Sequence, residues 1–242
     1  MEISNLSVAT MSWARDEAEE NLLRRALEKL AGMNLKVFVC DGGSGGDFIE
    51  FLENLPGVTL VPPQGRGLWN QVKSSLAAAY TSGSEYILYT EPDKLDFFQQ
   101  GLPGLLEETA AADQAGILLA TRTDRAFATF PVLQHTSETT INYCCSEITG
   151  TRADYTYGPF LMTRKLVPYL QIMQEEIGWG WRPFAFGMAF RLGYRTYTYE
   201  GEFECPLDQR ADDLKERIYR MRQLSESIRG LVLSTNIDIS NV

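Results

Sequence analysis

The sequence predicts an α/β fold, with a mostly parallel central sheet flanked by helices. Three observations predict it. Short apolar runs alternate with helix-periodic segments through the first half of the chain, the pattern of strands joined by crossover helices. The run Lys36-Val37-Phe38-Val39-Cys40 is nearly all apolar, as a strand buried on both faces is. Two runs also end in turns rich in acid or glycine, Asp41-Gly42-Gly43-Ser44 and Glu91-Pro92-Asp93. Open α/β sheets bind ligands at such strand ends.

Taken in order, a first strand is predicted over 6–11. A helix follows over 14–31, with Leu22, Leu23, Ala26, Leu27 and Leu30 on one face and Gly32 as its stop. The second strand spans 36–40, a short helix 47–55 and the third strand 58–61. A helix over 68–81 leads to the fourth strand over 86–90, and a further strand is expected over 117–120. From Arg122 to Tyr157 the chain is polar and rich in Thr, with no clear period. It reads as a long irregular segment: a lid, a binding loop or a disordered stretch. Beyond it come a helix-like segment, a strand, and a C-terminal helix over about 210–231 with Leu214, Ile218, Met221, Leu224 and Ile228 on one stripe. No repeat or linker interrupts the chain, so one domain is expected.

Composition narrows the function classes. The chain has 242 residues, 44% hydrophobic and 22% charged, as ordinary soluble proteins have. Its net charge of −10 argues against a broad nucleic-acid-binding surface. No apolar run reaches the ~18–20 residues that span a bilayer. The N-terminal stretch lacks a basic region followed by an apolar one, so no signal peptide and a cytoplasmic location are expected. Cys40, Cys144, Cys145 and Cys205 form no Cys-x-x-Cys pair, and there is one histidine, His135. Buried free thiols are expected rather than a zinc site.

Three short motifs carry candidate chemistry. Asp41 ends a buried strand and precedes Gly42 and Gly43, which permit close approach of a ligand; the alternative is a tight turn capped by the acid. Gly65-Arg66-Gly67 opens a helix, and a cation beside a helix N-terminus suits a phosphate. No Walker loop occurs. Glu91 and Asp93, two apart on an extended backbone, share a face and offer hard oxygens to Mg²⁺ or Mn²⁺; the alternative is an acidic turn with Lys94 as counter-ion.

Strand, acid-Gly-Gly-Ser, helix, strand, Gly-Arg-Gly, helix, strand, acid-x-acid: this order resembles the nucleotide-sugar-binding half of family-2 glycosyltransferases of GT-A fold. Asp41 matches the first Asp of the family's Asp-Asp-Gly-Ser, and Gly42 replaces the second. Gly65, Arg66 and Gly67 match its Gly-Lys/Arg-Gly segment, and Glu91-Pro92-Asp93 its Asp-x-Asp motif. "YGPFLMTRK" and "AFRLGYRTY" look like its acceptor-side and closing segments. The resemblance implies a single GT-A-like (Rossmann-like) domain, with residues 1–98 holding the donor and 99–242 the acceptor. It implies a nucleotide-diphosphate sugar donor, with Asp41, Gly65, Arg66 and Gly67 on the nucleotide. It implies a divalent cation, Mn²⁺ or Mg²⁺, on Glu91 and Asp93. Glu91 stands where the family has Asp, so Glu91→Asp is expected to be mild.

The chain departs from the family at the catalytic base. Just before the closing helix, where an acid is expected, it reads Gly180-Trp181-Arg182-Pro183. Glu175 or Glu176 is then the candidate base, or the reaction is of the retaining kind, or catalysis is lost. A nucleotide-sugar-binding pseudoenzyme and a related nucleotidyltransferase are the alternatives to a glycosyltransferase. His135 is a candidate metal ligand, and Trp179 and Trp181 are candidates for stacking on a sugar. Arg122, Arg125 and Arg152 are candidates for holding an unidentified, anionic acceptor.

Overall fold

The computed structural model describes residues 5–111 and 115–240. The first half winds as predicted: β1 (Leu6–Ser12), α1 (Glu17–Ala31), β2 (Lys36–Asp41), α2 (Gly46–Asn54), β3 (Val58–Val61), α3 (Leu68–Thr81) and β4 (Tyr86–Tyr89). It continues through α4 (Leu102–Ala111), β5 (Ala115–Arg122), α5 (Asp124–Phe127), α6 (Val132–Thr149) and β6 (Phe160–Thr163). Last come α7 (Val167–Gln171), α8 (Trp181–Arg191), β7 (Arg195–Gly201) and α9 (Leu214–Asn236). Among the described residues no helix is long and apolar enough to cross a membrane.

Among the described residues seven strands form one sheet, in the order β3-β2-β1-β4-β6-β5-β7. The pairs β1–β2, β2–β3, β1–β4 and β5–β7 are parallel; β6 runs antiparallel to both its neighbours. The mostly parallel sheet is as the sequence implies. Strand periodicity sorts its side chains into two cores. Ala9, Ile87 and Tyr89 face a layer with Trp69, Phe160, Trp181 and Phe184, whereas Val8 and Leu88 face Leu27, Phe48 and Phe97 on the other side. After β3 the chain returns to the opposite flank of β1 to lay down β4. The C-terminal ends of β1 and β4 therefore bound the switch-point crevice, where open α/β sheets bind ligands.

The polar segment 122–157 is not irregular. Most of it is α5 and the 18-residue helix α6. Its sequence, VLQHTSETTINYCCSEIT, hides the helix because it buries polar residues (Gln134, Ser137, Glu138, Thr149) along with Ile141 and Cys145. Its hydroxyls turn back onto the preceding turn: Thr136, Thr139, Thr140, Ser146 and Thr149 each donate to the carbonyl four residues earlier. Such bonds satisfy hydroxyls inside a helix that propensity alone disfavours.

Helix α9 corrects a second expectation. Leu214, Ile218 and Met221 are exposed, and the buried face is instead Gln223, Ser227, Gly230, Leu231 and Ser234. Small residues win because α8 crosses closely. A Cβ at Gly230 would overlap the Gly180 backbone, and one at Gly187 would overlap Ser234.

Candidate functional site

Asp41 ends β2 and is buried. Its Oδ1 accepts from the Gly43 and Ser44 amides at 2.8 and 2.7 Å, and its Oδ2 accepts from the Ser12 and Ser44 hydroxyls, both at 2.7 Å. A carboxylate has about four lone-pair sites. All are filled, so Asp41 acts as the fastener of its turn, locking the ends of β1 and β2 together.

Gly65, Arg66 and Gly67 lie at the N-terminus of α3, with Gly67 at φ 101° in the N-cap position. The first amides of that helix have an anionic partner already. Glu176 Oε1 accepts from Trp69 N at 2.9 Å and Gly178 N at 2.9 Å, while Oε2 accepts from Asn70 N at 3.2 Å and Asn70 Nδ2 at 3.1 Å. A Cβ at position 67 would overlap this carboxylate. Glu176 thus caps α3 from 107 residues away in sequence. Glu175 is exposed and pairs with Arg229. Glu176→Gln is expected to lower stability by about 1 kcal/mol, the usual worth of a cap; urea unfolding checks it.

After β4 and the linking Thr90 and Glu91, Pro92 and Asp93 form a turn, not an extended run. Glu91 is buried there, and its Oε1 accepts from Arg182 Nη1 at 2.8 Å. Arg182, at the start of α8, lies over the Trp179 ring at 5.1 Å. The departure from the expected acid therefore has a use: this position supplies the counter-ion of Glu91. Gly158, at φ 129°, leaves room for the carboxylate, since a Cβ there would overlap Glu91 Oε2. Burial pushes the Glu91 carboxyl above its ordinary pKa, against the pull of Arg182 and Lys94, and the nearby Asp93 adds to the rise.

Glu91, Asp93, Lys94 and Arg182 line a cavity of about 130 Å³. Its far wall is an ionic cluster. Arg122, expected as an acceptor clamp, pairs with Asp154 and Glu138, each at 2.7 Å, and packs on the Phe127 and Phe130 rings, 4.2 and 4.4 Å from their centroids. Arg220 of α9 completes that wall, bonded to Glu216 at 2.7 Å and Gln223 at 3.1 Å. Neither Glu175 nor Glu176 lines this cavity. Nor does His135, which sits on α6 with its ring 4.3 Å from that of Phe127. Arg125 pairs with Glu202 on the surface, Arg152 is exposed, and Trp181 is core, stacked on Trp69 at 5.9 Å. Trp179 alone of the two tryptophans lines the cavity.

No family model matches the chain, and no curated protein matches it by sequence. Solved structures do match. Glucosyl-3-phosphoglycerate synthase from Mycobacterium tuberculosis, in complex with uridine diphosphate, superposes with a TM-score of 0.68 at 15% identity, over 98% of this chain and 82% of that one. The same enzyme with Mn²⁺, UDP-glucose and phosphoglyceric acid gives 0.66 at 16%, over the same shares. Mannosyl-3-phosphoglycerate synthase from Rubrobacter xylanophilus gives 0.67 at 13%, over 98% of this chain and 78% of that one. The fold is the GT-A fold.

GT-A neighbours crystallised with Mn²⁺ raise the question whether this chain suits such an ion. Five buried side-chain N or O atoms among the described residues have no hydrogen-bond partner, and two of them are Glu91 Oε2 and Asp93 Oδ1. Buried orphan acceptors are costly unless a ligand satisfies them. Hard carboxylate oxygens are what Mg²⁺ and Mn²⁺ prefer, so the acidic pair fits. No group of three His, Cys, Asp or Glu suited to a metal occurs among the described residues. Water or the oxygens of a bound ligand would supply the remaining positions, as is usual for Mg²⁺. Arg182 and the Arg122 cluster were legible only as arginines, because their partners lie 91 and 32 residues away.

Proposed function

We propose that the protein transfers a sugar from a nucleotide-diphosphate sugar to an acceptor hydroxyl, with a divalent cation on Glu91 and Asp93. The observation that carries this reading is the pair of orphaned, buried carboxylate oxygens beyond β4, at the switch point of a GT-A fold. Residues 1–98 would hold the donor and 99–242 the acceptor. When bound, the cation supplies charge neutralisation at the departing diphosphate. This chain's residues do the rest. Asp41 fixes the strand-end turn, Glu176 fixes the N-terminus of α3 beside Gly65, Arg66 and Gly67, and Arg182 holds Glu91 in place. An anionic acceptor accords with Lys94, which lines the cavity and has the Tyr157 ring but no ion pair beside it among the described residues.

One observation favours a second reading, a nucleotide-sugar binder without transferase activity. The start of α8 carries Arg182, already paired, and Glu175 and Glu176 are both engaged outside the cavity. A thermal-shift panel of UDP- and GDP-sugars with and without Mn²⁺ tests binding, and donor hydrolysis separates the two readings. A ligand at ~100 times its Kd adds about 2.7 kcal/mol of stability. No shift at millimolar donor with Mn²⁺ sinks both readings, and a shift without turnover selects the binder.

A further inference from the structure

Helix α9 turns its small residues inward and leaves an apolar stripe outside. Leu214, Ile218, Met221, Ser225, Ile228 and Val232 follow one another at alternating spacings of four and three, the heptad repeat that keeps a seam on one side of a helix. Leu214 is 74% exposed, Met221 57% and Val232 53%. Of the eleven exposed large hydrophobics among the described residues, five lie on α9, so the stripe is a patch and not scatter. A contiguous exposed apolar patch marks an interaction site.

Charge decides what covers it. Over Leu214–Asn236 the helix carries five basic residues and two acids, on a chain of net charge −10. Both acids are engaged: Glu216 accepts from Arg220 Nε at 2.7 Å and Glu226 from Trp179 N at 2.9 Å. Arg217 and Arg229 pair with Asp212 and Glu175, whereas Lys215 and Arg222 are exposed and have no ion pair among the described residues. Lys215, Arg222 and Arg229 recur every seven residues, a row of cations along one side of the stripe. A second copy packed antiparallel on this seam would set that row against itself. Packed parallel, it would set the row against Arg217. An anionic surface with an apolar interior suits both the stripe and the cations.

We infer that α9 docks the protein on the surface of an anionic phospholipid bilayer. Leu214, Ile218, Met221 and Val232 enter the interface, and Lys215 and Arg222 meet the headgroup phosphates. The helix lies along the surface, with its inner face still packed on α8. The acidic remainder of the chain is repelled by the same surface, which turns α9 toward it. This inference does not depend on the donor reading.

Vesicle flotation tests it, with phosphatidylcholine alone and with phosphatidylglycerol mixed in at equal amount. The proteins are the wild type, the pair Ile218→Ser with Met221→Ser, and the pair Lys215→Gln with Arg222→Gln. All four side chains are exposed, so both variants should melt close to the wild type. The wild type should bind the anionic vesicles and not the neutral ones, and high salt should release it. Losing the two cations should weaken binding about 25-fold, at about fivefold for each charge near the surface. Losing the two apolar side chains should weaken it by at least about tenfold. A wild type that binds neither vesicle, or both equally, overturns the inference, as do variants that bind like the wild type. Self-association in sedimentation velocity that Ile218→Ser with Met221→Ser abolishes would assign the stripe to a second copy and overturn it too.

Discussion

Asp93→Asn is expected to weaken Mn²⁺-dependent UDP binding by at least about 100-fold, the upper end of what losing even an outer-shell partner costs. The substitution keeps the shape and removes the charge of Asp93, whose Oδ1 is buried and has no hydrogen-bond partner among the described residues. Without metal the variant should be no less stable than the wild type, since Asp93 adds to the repulsion felt by Glu91. Glu91→Asp makes the complementary case. Compared by sequence alone it restores the usual residue of the motif. In this fold the shorter arm cannot keep the 2.8 Å contact with Arg182, whose side chain is 7% exposed. The change should therefore cost about 1–3 kcal/mol of apo stability, as an unsatisfied buried partner does. Calorimetry with and without chelator, paired with urea unfolding, reads both. Equal UDP affinity for wild type and Asp93→Asn would reduce the motif to an acidic turn.

Arg122→Leu should be the most destabilising single change at the site, by about 3–5 kcal/mol. The side chain is 1% exposed and bonds Glu138, both oxygens of Asp154, and the Thr156 hydroxyl. Its loss strands two buried carboxylates. Neutralising the whole cluster (Arg122→Met, Glu138→Gln, Asp154→Asn) should cost less than Arg122→Leu alone, because no unpaired charge remains. Acid titration gives an independent check. Burial alone would raise the Asp154 carboxyl, but the Arg122 charge and the hydrogen bonds from Arg122 and Thr156 outweigh it and hold the group down at about 2. A depressed folded-state pKa means this stabilisation is complete above the unfolded value near 3.9 and is lost as pH falls toward about 2. Urea unfolding across that window should show the loss in wild type and a shallower one in Asp154→Asn. Identical pH profiles would remove Asp154 from the acid response.

Much of the architecture was legible because it is written locally. The apolar alternation of β1 to β4 and the periodic face of α1 gave their positions to within a few residues, and the acids at the end of β2 and just beyond β4 marked the C-terminal edge of the sheet. Helix α6 escaped because its period is carried by Thr, Ser, Gln and Glu, whose burial depends on hydroxyl back-bonding and on Arg122. The stripe on α9 misled for the opposite reason. Apolar residues stood at the right spacing, but the close crossing with α8 required Gly and Ser at the contact and left Leu214 and Met221 outside.

From its sequence alone this chain determined a mostly parallel α/β sheet, the order of its elements through β4, and the placing of Asp41, Glu91 and Asp93 at or just beyond strand ends. Those are consequences of periodicity and of residues adjacent in the chain. Tertiary structure decided what each of them bonds to. It spent the lone pairs of Asp41 on a turn, set Glu176 on the N-terminus of α3, and gave Glu91 to Arg182. A carboxylate's role follows from which donors reach it. In a packed interior those donors come from wherever the chain returns, up to 107 residues away, and no local pattern records that distance.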